Sequence, residues 1–467
     1  MSRMKLEVLT ETEIEAIHSR TLGVLEDPGV RVNHAPILKA LAKVGAKVDD
    51  AAGRVRFPPE LVEELRREAP PSARLTGLNG RVLDVGGENR YYSSLITDPF
   101  IIDYEKGPRR PVLEDIRRHA IVGESLDRVD AMMRMQYPAE DVPEPRSCLK
   151  TMEVFLCHCT KHAPIYPSSA ENAREWIGAG EILAGSEGLR KTPLMSMAVA
   201  VTSPLTLHEA NGDLLGMALE YNMPVISTVC PMAGATSPYT VAGTMVAANA
   251  EALMPVVIAQ ALKPGHPVFY AIGPSVADLR TGRDLYYKAE KALFKIMATQ
   301  MGKFYHLPIA GEAGGTMTWR YDPQNGAEGT LYLLAAIAGG QNLMGGLGSC
   351  HNANGMSAEQ IVIQCGLVDQ AEYVARGVSL SDEELAVESI RGAGPGGDFF
   401  ADDLTLRFMR ESPFFDTPHF DLSGGYGDSV GVVARAHETV ETLVANYKPT
   451  VPESIRQDLQ AYFRELV

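Results

Sequence analysis

The sequence predicts an α/β fold: a (β/α)8 TIM barrel with a small N-terminal α+β cap and a C-terminal helical appendage. Three observations point there. From about residue 130, short apolar runs alternate with helical stretches for roughly 250 residues, the signature of parallel strands joined by crossover helices. The repeats run on without the long crossover that divides an open doubly wound sheet. The only Gly-x-Gly-x-x-Gly, at Gly392, Gly394 and Gly397, follows a charged helix rather than a strand, so a dinucleotide fingerprint is out of place.

In the cap, assigned to residues 1–85, Thr10 and Glu13 are spaced as a capping box ahead of Ile14, Ile17, Leu22 and Leu25 on one helical face. That helix stops near Asp27-Pro28-Gly29. Ile37, Leu38, Leu41 and Val44 form a second stripe ended by Gly45, and Leu61, Val62 and Leu65 a third after Pro58-Pro59. Strand-like pieces at Arg54–Phe57 and Arg81–Val85 interleave with them.

The barrel is assigned to residues 86–380. Strands are expected at Ala131–Gln136, Pro164–Pro167, Leu194–Thr202, Val225–Cys230, Val268–Ile272, Pro308–Gly311 and Asn342–Leu347. An eighth, at Tyr91–Ile96 or after Gly377, closes the ring. Helices are expected at Ala170–Leu183, Leu207–Tyr221, Tyr239–Leu262, Leu285–Tyr305, Gly326–Ala338 and Ser357–Arg376. In the fourth of these, Leu285, Ala289, Leu293, Ile296, Met297, Met301 and Phe304 form one apolar stripe suited to packing on strands. Residues 381–467 read as helices over Asp382–Ile390, Asp402–Met409 and Val432–Tyr447.

Composition narrows the function. Forty-three Lys plus Arg against 59 Asp plus Glu leave a net charge of −16, which argues against nucleic acid and anionic membrane partners and favours a basic partner or a neutral or cationic ligand. Six cysteines scattered through apolar stretches point to a reducing compartment, and Met1–Thr10 has no apolar core of a signal peptide. Val241–Leu262 approaches membrane-spanning length but carries Asn249, Glu251, Pro255 and Gln260, so it is expected to be a buried helix of a cytoplasmic protein.

In a barrel, chemistry sits just after the strands. That rule selects Ser203, Thr206, Cys230, Ser275, Glu312 through Thr316, and Ser349-Cys350-His351-Asn352. His351 lies among polar neighbours rather than on an apolar face, and Glu312 is a carboxylate at a strand end. The tract Gly345–Ser349 is placed either to bind a phosphate through its amides or simply to pack strand against helix. Cys157, His158, Cys159 and His162 offer zinc-type ligands, yet on a helix continuing from Leu149 the two thiols point roughly 160° apart, so no metal site is expected. Tyr91, Tyr92, Tyr270, Trp319, Tyr321, Phe399 and Phe400 fall at presumed strand ends or loops, where ring faces beside a carboxylate would suit a methylated ammonium group.

Nearly end to end, the chain resembles the trimethylamine methyltransferase family, the corrinoid-dependent methyltransferases of methylotrophic archaea and their bacterial relatives. The resemblance is carried by Thr21–Val32, Arg54–Leu65, Pro108–Asp115, Asp322–Glu328, Gly392–Phe400 and Ala434-Arg435-Ala436. Archaeal members carry pyrrolysine a few residues ahead of an Asp-x-Gln-x-x-x-Glu run, matched here by Asp322, Gln324 and Glu328; the corresponding position is about Gly315. The chain is therefore similar to the branch without pyrrolysine, which demethylates quaternary amines such as glycine betaine. A glycine there is expected to leave room at the barrel floor. Asp398 stands where relatives often carry His, and Trp319-Arg320 replaces a more polar stretch.

The resemblance implies a quaternary amine as substrate and a cobalt corrinoid supplied by a partner protein, with no tightly bound cofactor of the chain's own. Glu312 and His351 are the expected catalytic residues. Tyr92, Tyr270, Gly315, Trp319, Arg320, Tyr321 and Asn352 are the expected substrate-binding residues: Tyr92, Trp319 and Tyr321 as a cage, His351 with Arg320 or Asn352 at a substrate carboxylate. A homo-oligomer is expected. Two rivals stay open, a betaine-binding protein without catalysis and a barrel enzyme acting on a phosphorylated substrate.

Overall fold

The computed structural model describes residues 3–95, 98–133, 138–144, 146–411, 414–425, 427 and 429–466. Eight parallel strands form one sheet: β1 (Tyr91–Leu95), β2 (Ala131–Met133), β3 (Ala163–Ile165), β4 (Met195–Val201), β5 (Val225–Val229), β6 (Val268–Ala271), β7 (Ile309–Glu312) and β8 (Leu343–Leu347). β8 pairs with β1, and the Met132 N–H donates to the His162 carbonyl at 2.9 Å, so the ring closes between β2 and β3. This is a (β/α)8 barrel. The expected extensions to Ile96 and Gln136 lie outside the described residues.

Each strand is followed by a helix: α1 (Leu113–Ser125), α2 (Arg146–Leu156), α3 (Ala170–Ala184), α4 (Glu209–Glu220), α5 (Val241–Leu262), α6 (Glu290–Phe304), α7 (Pro323–Gly339) and α8 (Ala358–Arg376). Four take side-chain N-caps, from Ser169, Thr240, Asp322 and Ser357, each of which satisfies an amide left free in the first turn. α6 starts five residues later than the apolar stripe indicates. Residues 283–285 instead pair antiparallel with Ser275–Asp278, Leu285 opposite Val276, in a hairpin over the mouth of the barrel. Likewise α2 ends at Leu156, so Cys157-His158-Cys159 does not continue a helix. Its groups are used separately: His158 Nδ1 bonds the Val154 carbonyl, His162 lies between the Thr76 carbonyl and Ser196 Oγ, and Cys159 donates to the Lys161 carbonyl.

The N-terminal end of the barrel is plugged. Ala73, Leu75, Leu83 and Val85, from the hairpin of Ser72–Thr76 and Val82–Gly86, pack with the inward residues Ala131, Ile226, Phe269, Ala271, Ala310 and Leu343 in one core cluster. Any ligand must therefore enter at the opposite end. The three cap helices, Glu11–Glu26, Ala35–Lys43 and Pro59–Arg67, lie against α5, which accounts for an apolar helix buried on most sides. Its polar residues are satisfied there: Asn249 bonds Thr21, Tyr305 and Tyr270, and Glu251 bonds Ser203 and the Leu205 amide.

Past α8, two short helices, Asp382–Leu385 and Val387–Ala393, are broken at Ala386 in the left-handed region, and Asp403–Glu411 follows. Val432–Asn446 packs on α8 and α1. A further helix, Glu453–Glu465, packs on α2 and α3; its strongly polar surface hid it from a search for apolar periodicity.

Candidate active site

Strand alternation decides which side chains reach the lumen. In β1, Tyr91 and Ser93 point inward while Tyr92 points out; in β6, Phe269 and Ala271 point inward while Tyr270 points out. Accordingly Tyr92 donates to Glu372 on α8, and Tyr270 donates to Asn249 on α5 at 2.8 Å. Neither ring reaches the barrel mouth, which corrects the expectation of Tyr92 as a cage residue and of Tyr270 as a substrate-binding one.

A cavity of about 460 Å³ opens above the strands, within the roughly 300–1,000 Å³ usual for small-ligand sites. Pro164, Ala198, Ile226 and Val229 line one side; Asp98, Glu312, Gly345 and Gly346 line the other. The hairpin after β6 and the loop after β8 supply Asp284, Tyr286, Asn352, Ala353 and Asn354, and Tyr166 comes from the end of β3. Three carboxylates thus face one cavity.

Glu312, the last residue of β7, reaches this lining as expected, and its Oε2 accepts the Tyr287 hydroxyl at 3.0 Å. Asp98 is 1% exposed and accepts from Ser349 Oγ at 3.3 Å. Burial, with the charge of Glu312 added, holds its carboxyl well above the ordinary range. Behind the wall, Lys291 Nζ lies 3.1 Å from the centre of the Tyr286 ring and has no hydrogen-bond partner among the described residues. Burial pushes Lys291 down to about 8, and burial together with repulsion from Lys291 pushes Lys295 down to about 7. Cys230 opens to the cavity yet is enclosed by protein on its other sides, and this enclosure pushes its thiol up.

The remaining expected residues are placed elsewhere or are already engaged. His351 packs edge-on against Phe100, ring centres 6.1 Å apart, and is not on the lining. Arg320 lies on the surface and pairs with Asp322 at 3.0 Å. Trp319 covers Gly107, and Tyr321 bonds Ser357; both serve loop packing. Asn352 does line the cavity, but its Oδ1 accepts the Tyr286 and Tyr287 amides at 2.8 and 3.3 Å and its Nδ2 donates to the Asp284 carbonyl at 2.6 Å, so its amide is a clamp. The space beside Gly315 is filled: a Cβ built there would lie 2.1 Å from Tyr287 Cζ. No cluster of three or more His, Cys, Asp or Glu able to hold a metal exists among the described residues.

Asp98, Tyr166, Tyr286 and Tyr287 were missed. The strand-end rule, applied to β1, would have found Asp98. The two tyrosines of the hairpin were hidden inside an apolar stripe that reads as the start of a helix.

A plugged barrel whose open end presents three carboxylates and two tyrosines to one small cavity has the architecture of a barrel enzyme. The family model for trimethylamine methyltransferase matches residues 2–465, and the chain belongs to that family. It is 28% identical to a trimethylamine methyltransferase of Desulfitobacterium hafniense strain DCB-2, over 98% of this chain and 93% of the relative. It is 25% identical to a glycine betaine methyltransferase of Desulfitobacterium hafniense strain Y51, over 99% of this chain and 97% of the relative. Among solved structures, a dihydropteroate synthase of Coxiella burnetii overlays on 66% of this chain and 99% of its own, at 11% identity and a TM-score of 0.40.

Proposed function

We propose that the protein binds a methylated quaternary amine, glycine betaine or a related betaine, and passes one methyl group to the cobalt(I) of a corrinoid carried by a partner protein. The single observation behind this is the joint placement of Glu312, Asp98, Asp284, Tyr166 and Tyr286 on one lining. A quaternary nitrogen has no N–H to donate, so it is held by charge and by ring faces. Ser93 and Thr228 add hydroxyls to the lining from β1 and β5, and each donates to a backbone carbonyl, of Ser94 at 3.3 Å and of Ile226 at 3.5 Å.

A cavity of about 460 Å³ suits a small amine and is far too small for a corrinoid, which is why the acceptor is assigned to a separate protein. That acceptor supplies the electron pair that takes the methyl group. The chain's own part is to bind, orient and dehydrate the cation. As the N–CH3 bond breaks, its electron pair stays on nitrogen and the amine becomes neutral. The attraction exerted by Glu312 and Asp98 then falls, so the same carboxylates that hold the substrate release the product. The six free thiols fit a reducing, cytoplasmic setting.

The test is anaerobic incubation with cobalamin reduced to cobalt(I) and a panel of glycine betaine, carnitine, choline and trimethylamine, with the cobalt spectrum followed. Methylcobalamin formed from one quaternary amine and not from trimethylamine is expected. Tight binding of an amine with no methyl transfer would leave a binding protein instead.

A further inference from the structure

Tyr287 is almost completely buried, 1% exposed, at the end of the hairpin over the barrel mouth. It stands behind Glu312 rather than on the lining. Two independent contacts define its position. Its hydroxyl donates to Glu312 Oε2 at 3.0 Å, and its ring fills the space beside Gly315, where an added Cβ would lie 2.1 Å from both Cζ and Oη. Gly315 has φ +109°, so a side chain there is disfavoured by the backbone as well as by the ring.

The surroundings hold the ring in place. Tyr332 donates to the Tyr287 carbonyl, and the two rings stack with centres 5.9 Å apart. Asn352 accepts the amides of both Tyr286 and Tyr287. Asn352 itself lies in a run of three non-glycine residues at positive φ, His351 at 52°, Asn352 at 55° and Ala353 at 60°. Such a run is costly and persists only where its surroundings enforce it. The strained turn thus aims one amide at the segment that carries Tyr287.

We propose that Tyr287 is a positioning residue: it fills the space that a side chain at position 315 would need, and it orients the Glu312 carboxylate at the binding cavity. Its ring makes a side chain at position 315 and a tyrosine at position 287 mutually exclusive. Its hydroxyl donates to Glu312 Oε2, and the side chain of Tyr286 hydrogen-bonds the same carboxylate, so the hairpin holds the orientation in which Glu312 meets the bound cation. The charge half of this proposal rests on the reading that the cavity takes a methylated ammonium ion; the steric half does not.

Both halves are tested with Tyr287→Phe, Tyr287→Ala, Gly315→Ala and the double variant Tyr287→Ala/Gly315→Ala. Calorimetry with tetramethylammonium, choline and glycine betaine is expected to show Tyr287→Phe binding all three roughly tenfold more weakly, with a thermal midpoint close to that of the parent. In methyl transfer to cobalt(I) cobalamin, the same variant is expected to raise KM with little change in kcat, which a general loss of structure would not do. Gly315→Ala is expected to lower the thermal midpoint in the parent and to lower it clearly less in the Tyr287→Ala background, where only the backbone strain at φ +109° remains. Parent-like affinity in Tyr287→Phe overturns the charge half, and additive thermal effects overturn the steric half. If the parent chain binds none of the three cations, the proposed function fails and the charge half with it, while the thermal cycle still decides the steric half.

Discussion

Around the mouth of the barrel, the wall from β3, β4 and β5 presents Pro164, Ala198 and Ile226, with Thr228 as its one hydroxyl, whereas the wall from β7, β8 and the residues after β1 carries Glu312, Asp98 and two glycines. The apolar wall comes from strand positions, where alternation alone aims each side chain. The charged wall comes from strand ends and loops and needs outside support, from Tyr287 for Glu312 and from Ser349 for Asp98. The difference teaches that one wall supplies shape and the other supplies charge, so substitutions on the two should fail differently.

The sharpest test of that contrast is Glu312→Gln. It keeps the shape and removes the charge, and binding of a quaternary ammonium ion is expected to weaken by roughly 10²–10³-fold with a small change in thermal midpoint, as measured by calorimetry. On the other wall, Ile226→Ala is expected to cost about 2–4 kcal/mol of stability in denaturant unfolding, because Ile226 is 7% exposed and packs with the plug, while affinity falls less than tenfold. Equal loss of affinity in the two variants would erase the distinction between the walls.

Asp98 sharpens the comparison in another way. Burial and Glu312 keep its proton on above the ordinary carboxylate range, and a cation bound beside it draws the pKa down again. Binding should therefore release up to about one proton, seen as a binding enthalpy that depends on the buffer's ionisation enthalpy and lost in Asp98→Asn.

Lys291 and Lys295, behind the charged wall, predict a pH effect of defined sign. Their folded values of about 8 and about 7 lie below the unfolded value of about 10.4, so between those limits the unfolded chain holds more protons and stability rises with pH. Below about pH 7 both are charged in either state and the cost of burying them is at its largest. Thermal midpoints are expected to climb by a few degrees from about pH 7 to about pH 10, and the climb should flatten in Lys291→Met/Lys295→Met. The smallest effect is expected far from both walls: Phe400, 88% exposed on the appendage, should tolerate Phe400→Ser within about 0.5 kcal/mol.

Much of the barrel is legible in the sequence, because each strand is a short run and each helix a periodic one; seven strands lie where the apolar runs lie, and the eighth, at Tyr91–Leu95, is the first of the two places that the sequence left open. Glu312 is legible for the same reason, as the residue that ends such a run. Tyr92 and Tyr270 show the limit. Both sit within barrel strands, and a one-residue difference in phase carries each ring out of the lumen and against a helix. His351, Arg320 and Asn352 show another: a loop position says that a side chain is near the mouth, not whether its polar atoms are already used.

By itself the sequence determined the (β/α)8 architecture, the family and the carboxylate at the end of β7, since these depend on local periodicity and on short runs of residues. Only the tertiary structure decided that Asp98 joins Glu312 on one lining, that Tyr287 occupies the space beside Gly315, and that Asn352 is a clamp. Asp98, Tyr287, Glu312 and Asn352 lie far apart along the chain, and closure of the barrel is what brings their side chains within reach of one another.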